Sequence, residues 1–543
     1  MEEHNIDYDA LVSTTKIEDI TSNEYHQYLL RQIKYNDPDC TYLCLSQDGD
    51  EYEYLPENVR DLGWLGYFIG KNTTIQSLAI EGINLLDSLR AIELFCTEVN
   101  RNQTINNISI FGLNPVQMNT LFKTMKPFFQ SNNNLTGISL CASELDVLAC
   151  KQISLSIGGR KSKMSLASFA IEDCVVEDRS MVDIILGLSI HPQLKDLNLT
   201  NYDGVMGKNS CLALESLLHW TTTDICSLHL TGNSIGDEGM KIVSRGLANC
   251  KSLHTLYLSS NDFGDIGADC LASALKNSTN LKRLYMSGNR TISVKGCVAL
   301  STLLEIPTLE VFHLANNNII NDGAQLFAHA LVGNTSLKEL NISTSAHLTP
   351  TSPITDVGWG AFSRLLCDAS SVHNTYLSNH SLSCLSSRSG ALPTIVKDCL
   401  KLNKCSDKEN VAIKKMLRYH SEFDMQPLLE WDLKALPFVM NWFDSAAEEC
   451  PDFEPKISKL RLSSLFDCVR GMPILSVYGL TVNELREIYN EETALYKRYK
   501  GKKCLDEQFS SQIVQLQQRK DRAEKRFCIK TNWNTFADQF VVE

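Results

Sequence analysis

The stretch ICSLHLTGN at residues 225–233 recurs as LHTLYLSSN at 253–261, LKRLYMSGN at 281–289, LEVFHLANN at 309–317 and LKELNISTS at 337–345. Each copy begins 28 residues after the one before it, and the shared pattern is L-x-x-L-x-L-x-x-N. The first apolar column is Ile225, Leu253, Leu281, Leu309 and Leu337. The second is Leu228, Leu256, Leu284, Phe312 and Leu340, and the third Leu230, Leu258, Met286, Leu314 and Ile342. The second and third columns lie two residues apart, so they share one face of a strand, and the residue between them faces the other way. The last column is Asn233, Asn261, Asn289 and Asn317. An amide side chain both donates and accepts, which suits it to backbone groups where a strand turns inward. Ser345 breaks that column, ahead of a longer loop containing Pro350 and Pro353.

After each Asn the period changes from strand-like to helical. Met240, Val243 and Leu247 are spaced as on one helix face, as are Ala268, Leu271 and Leu275. Leu247, Leu275, Leu303 and Leu331 again repeat every 28 residues. One unit is therefore strand, turn, helix and return. Neither half can bury its apolar face alone, so stacking of units must supply the core. Weaker copies start at Ile75, Ile105, Leu135, Leu166 and Leu194, and Cys40–Leu45 reads as a degenerate first unit. Downstream, VHNTYLSNH from Val372 keeps part of the pattern. The array has about ten or eleven repeats, as a solenoid with atypical ends requires.

The segments NSIGDEGMKIVSRGL (233–247) and NDFGDIGADCLASAL (261–275) resemble the repeats of ribonuclease inhibitor and its intracellular relatives. The resemblance covers about residues 41–385 and is strongest from Ile225 to Ser343. It implies an α/β fold: a curved leucine-rich-repeat horseshoe with parallel strands inside, helices outside, and protein partners bound along the concave face. The expected organisation is an N-terminal cap or tail over residues 1–40, the solenoid over 41–388, and an α-helical C-terminal domain over 389–543.

Composition narrows the function. The chain has 543 residues, too many for one ordinary core, and 43% of them are hydrophobic, enough for a packed interior. A formal net charge of −13 disfavours nucleic acid and anionic membranes. The opening Met1-Glu2-Glu3-His4-Asn5 lacks the basic start and apolar run of a secretory signal, and no apolar run is long enough to span a bilayer. With 19 scattered cysteines and no signal, the expected setting is the reducing cytosol or nucleus, with the thiols acting as small buried hydrophobes. Sequons at Asn72, Asn102, Asn134 and Asn198 would matter only in a secreted chain.

The ends differ from the array. A short helix is expected near Glu24–Ile33, in keeping with a solenoid's need for polar end covers. Past Ser389 the repeat stops. Apolar-rich helical stretches follow at Pro393–Leu400, Leu428–Leu433, Leu436–Trp442 and Leu465–Pro473, a block that resembles the region following the repeats in uncharacterised algal leucine-rich-repeat proteins. Thr481 and Glu484 fit a capping box. Stripes from Leu485 to Tyr499 and from Leu505 to Phe527 then suggest a helical hairpin or coiled coil, with basic residues at Arg519, Lys520, Arg522, Lys525 and Arg526.

No motif of catalysis appears. There is no phosphate loop, since Gly158–Lys163 is glycine-rich and basic at the wrong spacing. There is no zinc-binding spacing, Cys40 and Cys44 having no second pair, and no nucleophile elbow. No cofactor, metal or enzymatic activity is expected. The leading expectation is an intracellular scaffold or recognition module for another protein. Two others share the repeat type: a GTPase activator like the Ran activators, whose usual acidic tail is missing here, and a ubiquitin-ligase substrate receptor, for which no F-box precedes the repeats.

The candidate surface follows from strand alternation. His229, Tyr257, Tyr285, His313 and Asn341 lie between the second and third apolar columns and point away from the core, with Tyr376 next in the degenerate unit. Arg283 and Glu339, two residues earlier on their strands, share that face. Strands about 4.8 Å apart would bring these side chains into a ladder, and Tyr and Arg dominate interface energetics.

Overall fold

The computed structural model describes residues 6–46, 53–82, 88–158, 164–201, 206–219, 224–343, 354–386 and 392–420. The sequence features placed at Gly159–Lys163, at Pro350 and Pro353, and from Leu428 to Phe527 lie outside the described residues.

Fifteen strands are present among the described residues: β1 Tyr42–Leu45, β2 Glu53–Tyr54, β3 Ser77–Glu81, β4 Asn107–Phe111, β5 Gly137–Cys141, β6 Glu144–Leu145, β7 Ser168–Glu172, β8 Val175–Val176, β9 Asp196–Asn198, β10 Ser227–His229, β11 Thr255–Tyr257, β12 Arg283–Tyr285, β13 Val311–His313, β14 Glu339–Asn341 and β15 Cys384–Ser386. Thirteen form one sheet in the order β15-β14-β13-β12-β11-β10-β9-β7-β5-β4-β3-β1-β2, while β6 and β8 pair separately. Every pairing is parallel, and helices such as Gly236–Leu247 and Asp265–Leu275 connect successive strands. Helices need roughly twice the spacing of strands, so such a stack curves with its sheet on the inside. The chain folds as an α/β solenoid.

The three apolar columns are the core. Leu228, Leu256, Leu284, Phe312 and Leu340 are fully buried and stand opposite one another in register. The outer helices contribute Leu247, Leu271, Leu275, Leu303 and Leu331 to the same interior. Strands β3, β4, β5 and β7 are five residues long, matching wider unit spacings of 30 and 31 residues; from β9 onward the strands are three.

Two polar ladders tie unit to unit. Asn261 Nδ2 donates to Leu230 O at 2.7 Å, and its Oδ1 accepts from Asn233 N at 3.2 Å. Asn289 repeats this, donating to Leu258 O at 3.0 Å and accepting from Asn261 N at 2.9 Å. Each amide thus satisfies the backbone of the preceding turn, as the buried column requires. The second ladder starts each outer helix. Asp237 Oδ1 accepts from Gly264 N at 2.8 Å and Gly267 N at 2.7 Å, so one helix's first turn caps the next. Asp265 does the same for Ser293 N and Gly296 N, at 2.7 and 2.8 Å. A Cβ on Gly267 would sit 2.9 Å from Asp237 Oδ1 and 2.8 Å from Phe263 Cβ, which explains the glycine in this turn.

Near the N-terminus the expected helix spans Glu24–Tyr35, with Asn23 accepting from Tyr25 N and His26 N at its start. Leu29, Leu30 and Ile33 are buried beneath it.

The far end corrects the sequence reading. The segment from Val372, expected as a degenerate strand, forms the helix Val372–Tyr376. Ser371 caps it, its hydroxyl accepting from Asn374 N at 3.1 Å, and the middle apolar column there is occupied by Thr375. The strand that pairs with β14 is β15, with Leu385 opposite Leu340. The true next unit therefore begins at Leu382, 45 residues after Leu337.

The described residues fall into two compact units, 6–362 with 381–394, and 363–380 with 395–420. The second contains the helices Val372–Tyr376 and Lys408–Tyr419 and nearly all of Thr394–Asn403.

Candidate functional site

The face of the sheet opposite the core carries one side chain per strand in a middle row. Backbone register sets that row as Cys44, Ala79, Ser109, Ser139, Ala170, Asn198, His229, Tyr257, Tyr285, His313, Asn341 and Ser386. Small residues occupy β1, β3, β4, β5 and β7, whereas long polar and aromatic ones occupy β9 to β14. The candidate surface is therefore one block of six strands.

Within it the aromatic rings form a continuous stack. His229 and Tyr257 lie 4.1 Å apart by ring centroids at 26°, and Tyr257 and Tyr285 4.5 Å apart at 4°. His313 closes the row edge-on to Tyr285, at 4.8 Å and 85°. The spacing is close to that of the strands, so backbone register alone delivers the rings to stacking distance. Pairs of this kind contribute about 0.5–1.5 kcal/mol beyond their buried area. The inner rings spend their faces on one another.

Both ends are hydrogen-bonded. His229 Nε2 meets Ser227 Oγ at 2.9 Å on the same strand face. Burial lowers the His229 pKa, Asp196 opposing the shift only in part, so the ring is neutral at physiological pH. His313 Nε2 donates to Glu339 Oε1 at 2.9 Å. Burial, with a contribution from the neighbouring Tyr257, raises the Tyr285 pKa, which keeps its phenol protonated. All four ring residues are half-buried, and Arg283 is exposed beside them.

The structure thus brings together His229, Tyr257, Arg283, Tyr285, His313, Glu339 and Asn341. Tyr376 is not a strand residue: it lies in the helix Val372–Tyr376. The same face holds residues the sequence reading passed over. Tyr42 on β1 and Phe111 on β4 are exposed, and Asn198 Nδ2 donates to Glu172 Oε1 at 2.6 Å beside Asp196. Extending the alternation rule to the upstream units would have found them.

A cleft of about 250 Å³ lies elsewhere, between the helices Asp178–Leu188 and Lys208–His219, lined by Ile185, Leu186, Ala213 and Leu217 with Ser189 and Ser216. It holds no titratable side chain. Among the described residues, no helix is long and apolar enough to cross a membrane.

A profile of the leucine-rich-repeat family matches residues 226–241, 249–272, 277–301 and 305–328, the units whose columns are most regular. These are leucine-rich repeats. No curated protein matches the sequence. Among solved structures, the leucine-rich-repeat chain is similar to an internalin from Listeria monocytogenes at 16% identity, over 63% of this chain and 93% of that one, with a TM-score of 0.36. It is also similar to a chain of the yeast Rad7 and Elc1 complex at 12% identity, over 64% and 89%, with a TM-score of 0.33.

Proposed function

We propose that this protein is a non-enzymatic, intracellular scaffold or recognition module that binds another protein on the inner face of its sheet, with contacts centred on β10 to β14. The observation that carries the reading is the unbroken row His229–Tyr257–Tyr285–His313, flanked by Arg283 and Glu339. A rigid aromatic row loses little conformational entropy on binding, and its exposed tips supply hydroxyl and imidazole groups for hydrogen bonds. Arg283 and Glu339 add charges of both signs on one face, which favours a protein partner over a polyanion.

The repeats belong, on this reading, to the ribonuclease-inhibitor type. The 28-residue unit with a full outer helix, as in Gly236–Leu247, supports that subtype. Residues 1–40 serve as the N-terminal cap, 41–388 as the solenoid, and 389–543 as a helical domain like that of the algal proteins. A cytosolic or nuclear setting fits the thiols of Cys96, Cys211 and Cys297, packed as buried hydrophobes.

The test is the double substitution Tyr257→Ala with Tyr285→Ala, compared with wild type by affinity capture and quantitative mass spectrometry. A correctly folded double variant should lose the wild-type partner by at least tenfold. Full retention would move the binding surface off this row.

A further inference from the structure

The chain carries a formal net charge of −13, yet the centre of the aromatic block holds two cations with no counter-charge. Backbone register sets a second row on the inner face as Asp196, Ser227, Thr255, Arg283, Val311 and Glu339. Each of these lies two residues before a member of the middle row, so the two rows share the face. Arg283 is exposed, and its cross-strand neighbours Thr255 and Val311 are half-buried and uncharged. Lys282, next to it in sequence, is exposed as well. Among the described residues neither cation forms an ion pair, because the acids nearby are engaged elsewhere. Glu310 Oε2 pairs with Lys338 Nζ at 3.0 Å, and Glu339 Oε1 accepts from His313 Nε2 at 2.9 Å. An unpaired guanidinium keeps its planar fork of N–H donors available, and a carboxylate fits that fork through two parallel hydrogen bonds.

The surrounding charges also set the size of what can dock. With strands about 4.8 Å apart, Glu339 stands roughly 10 Å from Arg283 along the row and Asp196 roughly 14 Å away on the other side. Carboxylates thus close the positive window at both ends, so it accommodates one or two acidic side chains and rejects a run of phosphates. Towards the N-terminus the face turns acidic. At the inner-face positions of β3, β4, β5 and β7 the charged residues are Glu81 and Glu172. An acidic group is repelled from that end, which fixes where along the sheet it comes to rest.

We propose that the protein partner received on this face presents a short acidic motif, one or two Asp or Glu side chains, to Arg283 and Lys282 between the flanking carboxylates Asp196 and Glu339. The proposal rests on the reading of β10 to β14 as the binding surface and adds the chemistry of its occupant. A carboxylate of the motif takes the Arg283 guanidinium, and the residues beside it pack on Val311 and Tyr285.

The experiment selects a phage-displayed random dodecapeptide library on the full-length protein, then measures the recovered peptides, resynthesised with a fluorescent label, by polarisation. Wild type should enrich peptides with Asp or Glu at one position beside apolar residues. Their affinity should fall about tenfold or more on Arg283→Glu, and equally when the peptide's acidic residue becomes its amide. Arg283→Lys should keep most of the binding, and Lys276→Glu, exposed at the end of the outer helix Asp265–Leu275, all of it. A peptide with Lys in place of the acidic residue should bind Arg283→Glu better than it binds wild type. Tyr257→Ala with Tyr285→Ala separates the proposal from the reading beneath it. Loss of binding in that double variant with full retention in Arg283→Glu overturns the acidic motif and keeps the surface. Retention in both overturns the two together. Enrichment of basic or uncharged peptides, or a short single-stranded DNA that competes better than the acidic peptide, also overturns the proposal.

Discussion

Replacing Asn261 and Asn317 by alanine should have different consequences although the two occupy the same column. Asn261 is fully buried and bonded on both sides. Its loss leaves Leu230 O and Asn233 N–H without the partner that Asn261 supplies. Each stranded buried backbone group costs about 1–3 kcal/mol, so Asn261→Ala should destabilise by about 2–4 kcal/mol. Asn317 is also buried, but its Nδ2 donates only to Met286 O at 3.1 Å, a carbonyl already served by Asn289 Nδ2 at 3.0 Å. Its Oδ1 has no partner. The turns differ in length there: Gly296 follows Asn289 by seven residues, whereas Gly267 follows Asn261 by six. Asn317→Ala therefore strands nothing and should cost about 1 kcal/mol or less. Urea denaturation followed by circular dichroism, with the slope unchanged, reads both values. Equal losses at the two positions, or no loss at Asn261, would refute the ladder as the source of stability.

Leu256→Ala removes a fully buried side chain from the second column and should cost about 2–5 kcal/mol, read as a lower thermal midpoint. The carboxylates should titrate in opposite directions by carbon-13 NMR. Burial raises the Asp61 pKa to about 6, whereas for Asp265 the hydrogen bonds from Ser293 and Gly296 outweigh burial and lower it. Stability contributed by Asp265 is then present above the ordinary aspartate pKa and lost as pH falls through its depressed one, while that from Asp61 is present in acid and lost as pH rises through about 6. An Asp265 titrating above the ordinary value would contradict the capping geometry.

Most of the solenoid was legible because each column is a repeated physical demand. A buried leucine every 28 residues, two residues from the next, admits one strand register, and the strands β10 to β14 stand where that register puts them. The aromatic row followed from the same alternation. What was not legible lay where the repeat is interrupted. The insertion before β15 adds 17 residues to the usual unit, and a partial match at Val372 was closer to the expected spacing than the true strand at Leu382. Tyr376 was placed on the sheet for that reason. Strand β2 carries no repeat signature, since its two residues lengthen the sheet edge rather than open a unit.

On the proposed function, a partner protein sits on the inner face of the sheet between β10 and β14. A photocrosslinking residue at Thr255, beside the aromatic row and half-buried, leaves the stack intact, and the same residue at Leu186, 52% exposed on an outer helix, is the control. Irradiation in native lysate should give a discrete adduct of one mass from position 255, absent from position 186 and abolished by Tyr285→Ala. Adducts from position 186 alone, or adducts at 255 that persist unchanged in Tyr285→Ala, would contradict the account.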